Sequence, residues 1–191
     1  MPARDPEPKR SSATGSRHHA MGAYLQLFWD LCRVRRGPAD VPASTTLLVV
    51  LALLYWIGSA VQSRIAYGPG RFLGPATLDL ALTLAFFAVV LAVTGRRQRY
   101  RQTVGAVLGA SILLTPPLLL LLCVPDPAAL PAGLDALLRV AMLALVVWYV
   151  VVVGSIMRSA LDCGIAAGMA LSVTYFLAGA ALVESLFPPG A

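Results

Sequence analysis

The chain has 191 residues, 58% of them apolar and only 13% charged, with a net charge of +6. A soluble domain of this length has too little interior to hide so much apolar side chain, so the composition excludes a water-soluble globule and indicates a membrane protein. Apolar runs fill nearly the whole chain, so no separate extramembrane core is expected, and any activity is built in the membrane or at its surfaces.

Residues 1 to 20, "MPARDPEPKRSSATGSRHHA", lack apolar periodicity and are rich in Pro, Ser and charge, which predicts a disordered tail. The two histidines, His18 and His19, are adjacent in this tail with no converging ligand, so no metal or other cofactor is expected. Met21 opens the first patterned segment, and translation beginning there is an expectation that intact-mass measurement tests. From Met21 to Val34, apolar Met21, Tyr24, Leu25, Phe28, Leu31 and Cys32 recur at three-and-four spacing, opposite Gln26, Asp30 and Arg33. This is too short to span a bilayer, and with Arg35 and Arg36 behind it residues 21 to 36 are expected to be an amphipathic helix lying in the headgroup layer. The alternative is that its apolar face docks on the spans or on a partner. Residues 37 to 43 then form an elbow: Gly37, Pro38 and Pro42 break the helix, and Ser44 or Thr45 caps the next one.

Residues 44 to 187 carry five runs long enough to cross a bilayer: Ser44 to Ser63, Ala76 to Thr94, Thr103 to Val124, Ala136 to Met157 and Cys163 to Val183. The first is too long, and its leader too extended, for a cleaved signal peptide, despite the small residues Gly58, Ser59 and Ala60. The expected fold is therefore an all-α polytopic membrane protein of five transmembrane helices behind an N-terminal interfacial helix. Basic residues set its orientation: twelve fall before the first span or in the second-to-third and fourth-to-fifth connections, against Arg64, Arg71 and Arg139 on the other side. The N-terminus is expected to be cytoplasmic and the C-terminus "LFPPGA" outside. One lysine against fourteen arginines, in an Ala-, Leu-, Gly- and Pro-rich chain, is the usage of a high-GC bacterium and suggests the inner (plasma) membrane.

Ionisable groups near span ends are candidate site residues, because charge in lipid is costly and is usually paired. Arg64, Asp79, Arg139 and Glu184 fall at comparable depth near the outer side and are expected to meet as an ionic cluster; the structural alternative is that the arginines snorkel and Asp79 pairs with Arg139. In the third span Ser111 and Thr115 precede Pro116 and Pro117, which disturb the helix and are expected to kink it. Ser172 and Thr174 are the polar counterparts in the fifth. Gly105 and Gly109 begin the third span and Gly164 and Gly168 the fifth, each pair a G-x-x-x-G strip; the two helices are expected to pack through them, with a second copy of the chain as the rival partner.

The loop "RRQRYR", Arg96 to Arg101, fixes topology and attracts anionic headgroups; it lacks the stacking partners and surface of a nucleic-acid site, and no nucleic acid is expected. Cys32, Cys123 and Cys163 form no C-x-x-C pair and read as small apolar residues. No G-x-S-x-G, H-E-x-x-H or Gly-rich phosphate loop occurs and no histidine lies in a span, so no enzymatic activity is expected.

Five spans between a cytoplasmic N-terminal segment and an outside C-terminus, over roughly Met21 to Glu184, resemble the layout of the Yip-type (Rab-GTPase-interacting-protein-like) membrane family. The "LCRVRRGPADVPAS" elbow is similar to the lead-in of small proteobacterial inner-membrane proteins. The resemblance implies a non-enzymatic integral membrane protein, an accessory or organising component whose partners are the bilayer and another membrane protein. The rival expectation is a small transporter or channel subunit using the kinked third span and the outer charge cluster.

Overall fold

Six α-helices and two single-turn 3-10 segments make up the computed structural model, which describes residues 13–124 and 131–188; among the described residues there is no strand. Helix α1 covers Ala13–Cys32, α2 Thr45–Tyr67, α3 Leu73–Val93, α4 Tyr100–Leu122, α5 Ala132–Leu161 and α6 Ile165–Leu186. The last five are each long and apolar enough to cross a membrane, so the protein is an all-α, multi-pass membrane protein. Each span is longer than its apolar run, α5 most of all, because a helix continues until a cap or a break stops it. Ser44, for instance, accepts a hydrogen bond from Leu47 N–H at the start of α2 (3.4 Å).

The chain differs from the expected boundaries at its start. Helix α1 begins at Ala13 rather than Met21; residues 1 to 12, the rest of the expected tail, lie outside the described residues. Of the two roles expected for its apolar face, the structure has the docked one. Leu27, Phe28, Leu31 and Cys32 are buried, packed chiefly on α4, while Leu25 and Trp29 stay exposed. Trp148 of α5 donates its indole N–H to the Cys32 carbonyl (2.8 Å), satisfying a group that the helix end leaves bare. Burial pushes the Cys32 thiol up to about 11. Val34 follows at φ 57, a left-handed position that a β-branched residue seldom takes, and its N–H reaches back to the Leu31 carbonyl (2.9 Å) to end the turn.

The elbow then forms as expected. Pro38 to Asp40 make one 3-10 turn, Gly37 N–H is held by the Asp40 carboxylate (3.1 Å), and buried Val41 fills the space opposite Gly105 of α4.

Helix α4 is the hub, in contact with every other helix except α6 to any extent. From Thr103 to Ser111 it is buried on all sides, which its small residues allow: Gly105, Ala106, Gly109 and Ala110 let neighbours come close to the backbone. The expected pairing of the two glycine strips does not occur. Gly105 faces Val41 and Leu51, and Gly109 receives the Phe28 ring, where a Cβ would overlap it. Gly164 has nothing near the position of a Cβ, and Gly168 meets Gly154 of α5, where a Cβ would lie 2.5 Å from the Gly154 carbonyl oxygen. A flat strip accepts whatever neighbour the topology supplies. For α4 that is α1 and the elbow; for α6 it is the adjacent antiparallel helix α5.

One end of the bundle gathers the arginine-rich connection. Arg96 pairs with Asp162, and Arg99 reaches Asp162 (3.0 Å) and the carbonyls of Ser159 and Ala160 (3.2 and 3.0 Å), the bare acceptors at the C-terminus of α5. Asp162 is the left-handed cap of that helix (φ 45), and its hydrogen bond with Arg96 is the main cause holding its carboxyl below the usual range.

Candidate functional site

Toward the other end, the five spans part around a cavity of about 390 Å³. Its walls run from Tyr67, Pro75 and Val183 near the helix ends down to Tyr55, Ser111 and Tyr149 at mid-length, and no residue of α1 lines it. Two local features shape the α4 side of it. Pro116 and Pro117 lie inside α4, where they remove the N–H groups that the Ile112 and Leu113 carbonyls would take, yet the helix runs on to Leu122. The Thr115 hydroxyl donates to the Ser111 carbonyl (2.9 Å) and Ser111 to that of Val107 (2.8 Å), so both polar side chains serve their own helix while facing the cavity. Opposite, Gly58 of α2 receives Thr115, where a Cβ would lie 3.3 Å from its methyl.

Among the described residues, Asp79 of α3 is the one carboxylate in the cavity wall, and no Lys or Arg lines it. Tyr55 and Ser59, one turn apart on α2, both donate to Asp79 Oδ2, each at 2.8 Å. Its other oxygen, Oδ1, has no hydrogen bond among the described residues and is not sealed from the surface. One turn further along α3, Thr83 donates to the Asp79 main-chain carbonyl (2.9 Å). With that hydroxyl proton committed, Tyr175 must donate to Thr83 Oγ1 (2.8 Å), and Tyr149 donates in turn to Tyr175 (3.5 Å). The result is a directed chain from α5 through α6 to α3, ending at the residue that holds the carboxylate. Phe86 and Phe87 pack on the Tyr175 ring (centroids 5.2 and 5.4 Å) and fix its orientation.

The expected ionic cluster is not formed. Arg64 lies over the Phe72 ring, 6.0 Å from its centroid, and Arg139 pairs with Asp135 one turn away on its own helix (2.9 Å). Glu184 is exposed near the end of α6 and makes no ion pair among the described residues. Arg139 has a carboxylate at hand on its own helix: Asp135 lies at i−4, one turn before it in the 30-residue α5. Asp79, in the second turn of α3, takes the neutral donors Tyr55 and Ser59 instead. Of the other polar candidates, Ser172 ties α6 to the Val150 carbonyl of α5 (2.8 Å) and Thr174 bonds back to Ala170 (2.9 Å), so neither offers a free group to a ligand.

Tyr55, Ser59, Thr83, Tyr149 and Tyr175 were not singled out in the sequence. The signal was present in part: Tyr55 with Ser59, and Asp79 with Thr83, are polar pairs at helical i, i+4 spacing inside apolar runs. No family model matches the chain, and neither a curated protein nor a solved structure matches it.

Proposed function

We propose that the protein is a small transporter- or channel-type subunit that admits a small solute to the five-span cavity. The observation that carries this reading is the cavity itself: every span contributes to its wall, its volume of about 390 Å³ lies in the range of small-molecule sites, and its base bears a carboxylate with one oxygen unengaged among the described residues. A bundle that served only to organise partners has no use for a hollow that bears a carboxylate, because van der Waals contact is what holds membrane helices together. The twelve-to-three bias of basic residues supports a cytoplasmic arginine-rich end, in a bacterial plasma membrane, with the cavity opening on the outer side. The accessory role draws support from one feature, the exposed Leu25 and Trp29 on α1, which lipid covers equally well.

The test is solvent access. In a chain whose three native cysteines are replaced by serine, single cysteines at Ser63, Ser111 and Leu118 line the cavity, whereas Leu53 and Val89 are exposed on outer helix faces. In lipid nanodiscs, a charged, water-soluble thiol reagent should modify the first three and spare the last two. Equal inertness at all five positions would mean a dry hollow and would return the protein to the accessory role.

A further inference from the structure

We infer that the solute is a small organic cation, a protonated amine on an apolar body, whose ammonium group pairs with Asp79. This deepens the solute-site reading and rests on it. The charge argument starts from what surrounds the carboxylate. Tyr55 and Ser59 both bind Oδ2, Oδ1 has no donor among the described residues, and two of the arginines expected beside it are engaged elsewhere, Arg64 over Phe72 and Arg139 with Asp135. A carboxylate in a bilayer interior without a positive partner is costly, and a ligand that brings an N–H donor and a positive charge removes that cost.

The walls give the rest of the specificity. Tyr55, Tyr149 and Tyr175 surround the same hollow, and tyrosine faces attract cations but not anions. Their hydroxyl protons are already directed to Asp79, to Tyr175 and to Thr83, so as donors these three are spent; Gln62, Ser63 and Tyr67 also line the cavity, and what disfavours an anionic ligand there is the like charge of Asp79. Leu82, Leu114, Leu118, Leu145 and Val146 are among the apolar residues that make up most of the remaining wall, which suits an alkyl or aryl body rather than a hydrated metal ion.

The experiment uses the full chain in lipid nanodiscs, titrated with 2-phenylethylamine, 2-phenylethanol and phenylacetate, which share a ring and differ in charge. Binding is read by calorimetry against empty nanodiscs. The amine should bind saturably, at least about tenfold tighter than the alcohol, and phenylacetate should not bind. Asp79→Asn keeps an acceptor for Tyr55 and Ser59, and so the tie between α2 and α3, while losing the charge; it should cost the amine about tenfold and leave the alcohol unchanged. Asp79→Glu should restore the amine's preference. If amine and alcohol bind alike, in wild type and Asp79→Asn, the cation inference falls while the solute site stands. Saturable binding of phenylacetate in preference to the amine also overturns the inference. If none of the three binds saturably, both the inference and the solute-site reading fail.

Discussion

Phe28 and Gly109 are the contact on which the docking of α1 depends. The ring occupies the place of the missing side chain, and a methyl group added at position 109 would overlap it. Gly109→Ala should therefore destabilise the purified protein by about 1–3 kcal/mol, the usual cost of overpacking. In a Phe28→Ala background the space is vacant, and the same substitution should cost far less; denaturation of the four proteins of this cycle measures the coupling. An equal cost in both backgrounds would mean that the ring is not seated there. The strip was legible in the sequence as a pair of glycines four apart, but not its occupant, because a glycine strip has no side chain with which to select a neighbour. Asp79 shows the same limit. Its charge in an apolar run marked it, yet the expectation that charge seeks opposite charge failed, since two hydroxyls one turn apart on α2 reach it first.

Between elements, the contacts at the arginine-rich end bind the α3–α4 connection to the C-terminus of α5. The loop "RRQRYR" was read as a topology signal; two of its arginines also neutralise bare carbonyls and Asp162. Because the folded state holds the Asp162 carboxyl below its usual range, its contribution is present above the ordinary carboxylate value near about pH 4 and is lost as the pH falls through the lowered value. These pairs are solvent-exposed, so salt weakens them as well. Asp162→Asn keeps a residue that tolerates the left-handed cap and removes the charge. Amide exchange around residues 94 to 101 should quicken in this variant at neutral pH, and in the wild type at high salt, with helix content unchanged. Unaltered exchange in both would show that the arginines do not hold the connection. The helix α1 was legible as amphipathic from its three-and-four spacing, but periodicity names the apolar face without naming its cover; that cover is α4, where Cys32 meets Ala110, 78 residues on in the chain.

At the scale of the whole molecule, the five spans were readable because hydrocarbon thickness imposes a length and a composition that few other segments meet. The cavity was not readable, since it arises where five helices diverge, and no single helix carries its outline. Its polar groups come from all five spans, and apart from Asp79 none carries a charge to mark it in the sequence. The proposed function joins this hollow to a sidedness: a bundle closed by arginines at the cytoplasmic end and open to solute at the outer one. The most direct test is made in intact cells with two single-cysteine proteins, Gln62→Cys in the cavity wall and Arg97→Cys in the basic loop, in the cysteine-free background. An impermeant thiol reagent should block Gln62→Cys from outside and reach Arg97→Cys only after the cells are permeabilised. Labelling of Arg97→Cys in intact cells, with Gln62→Cys protected until permeabilisation, would contradict the account.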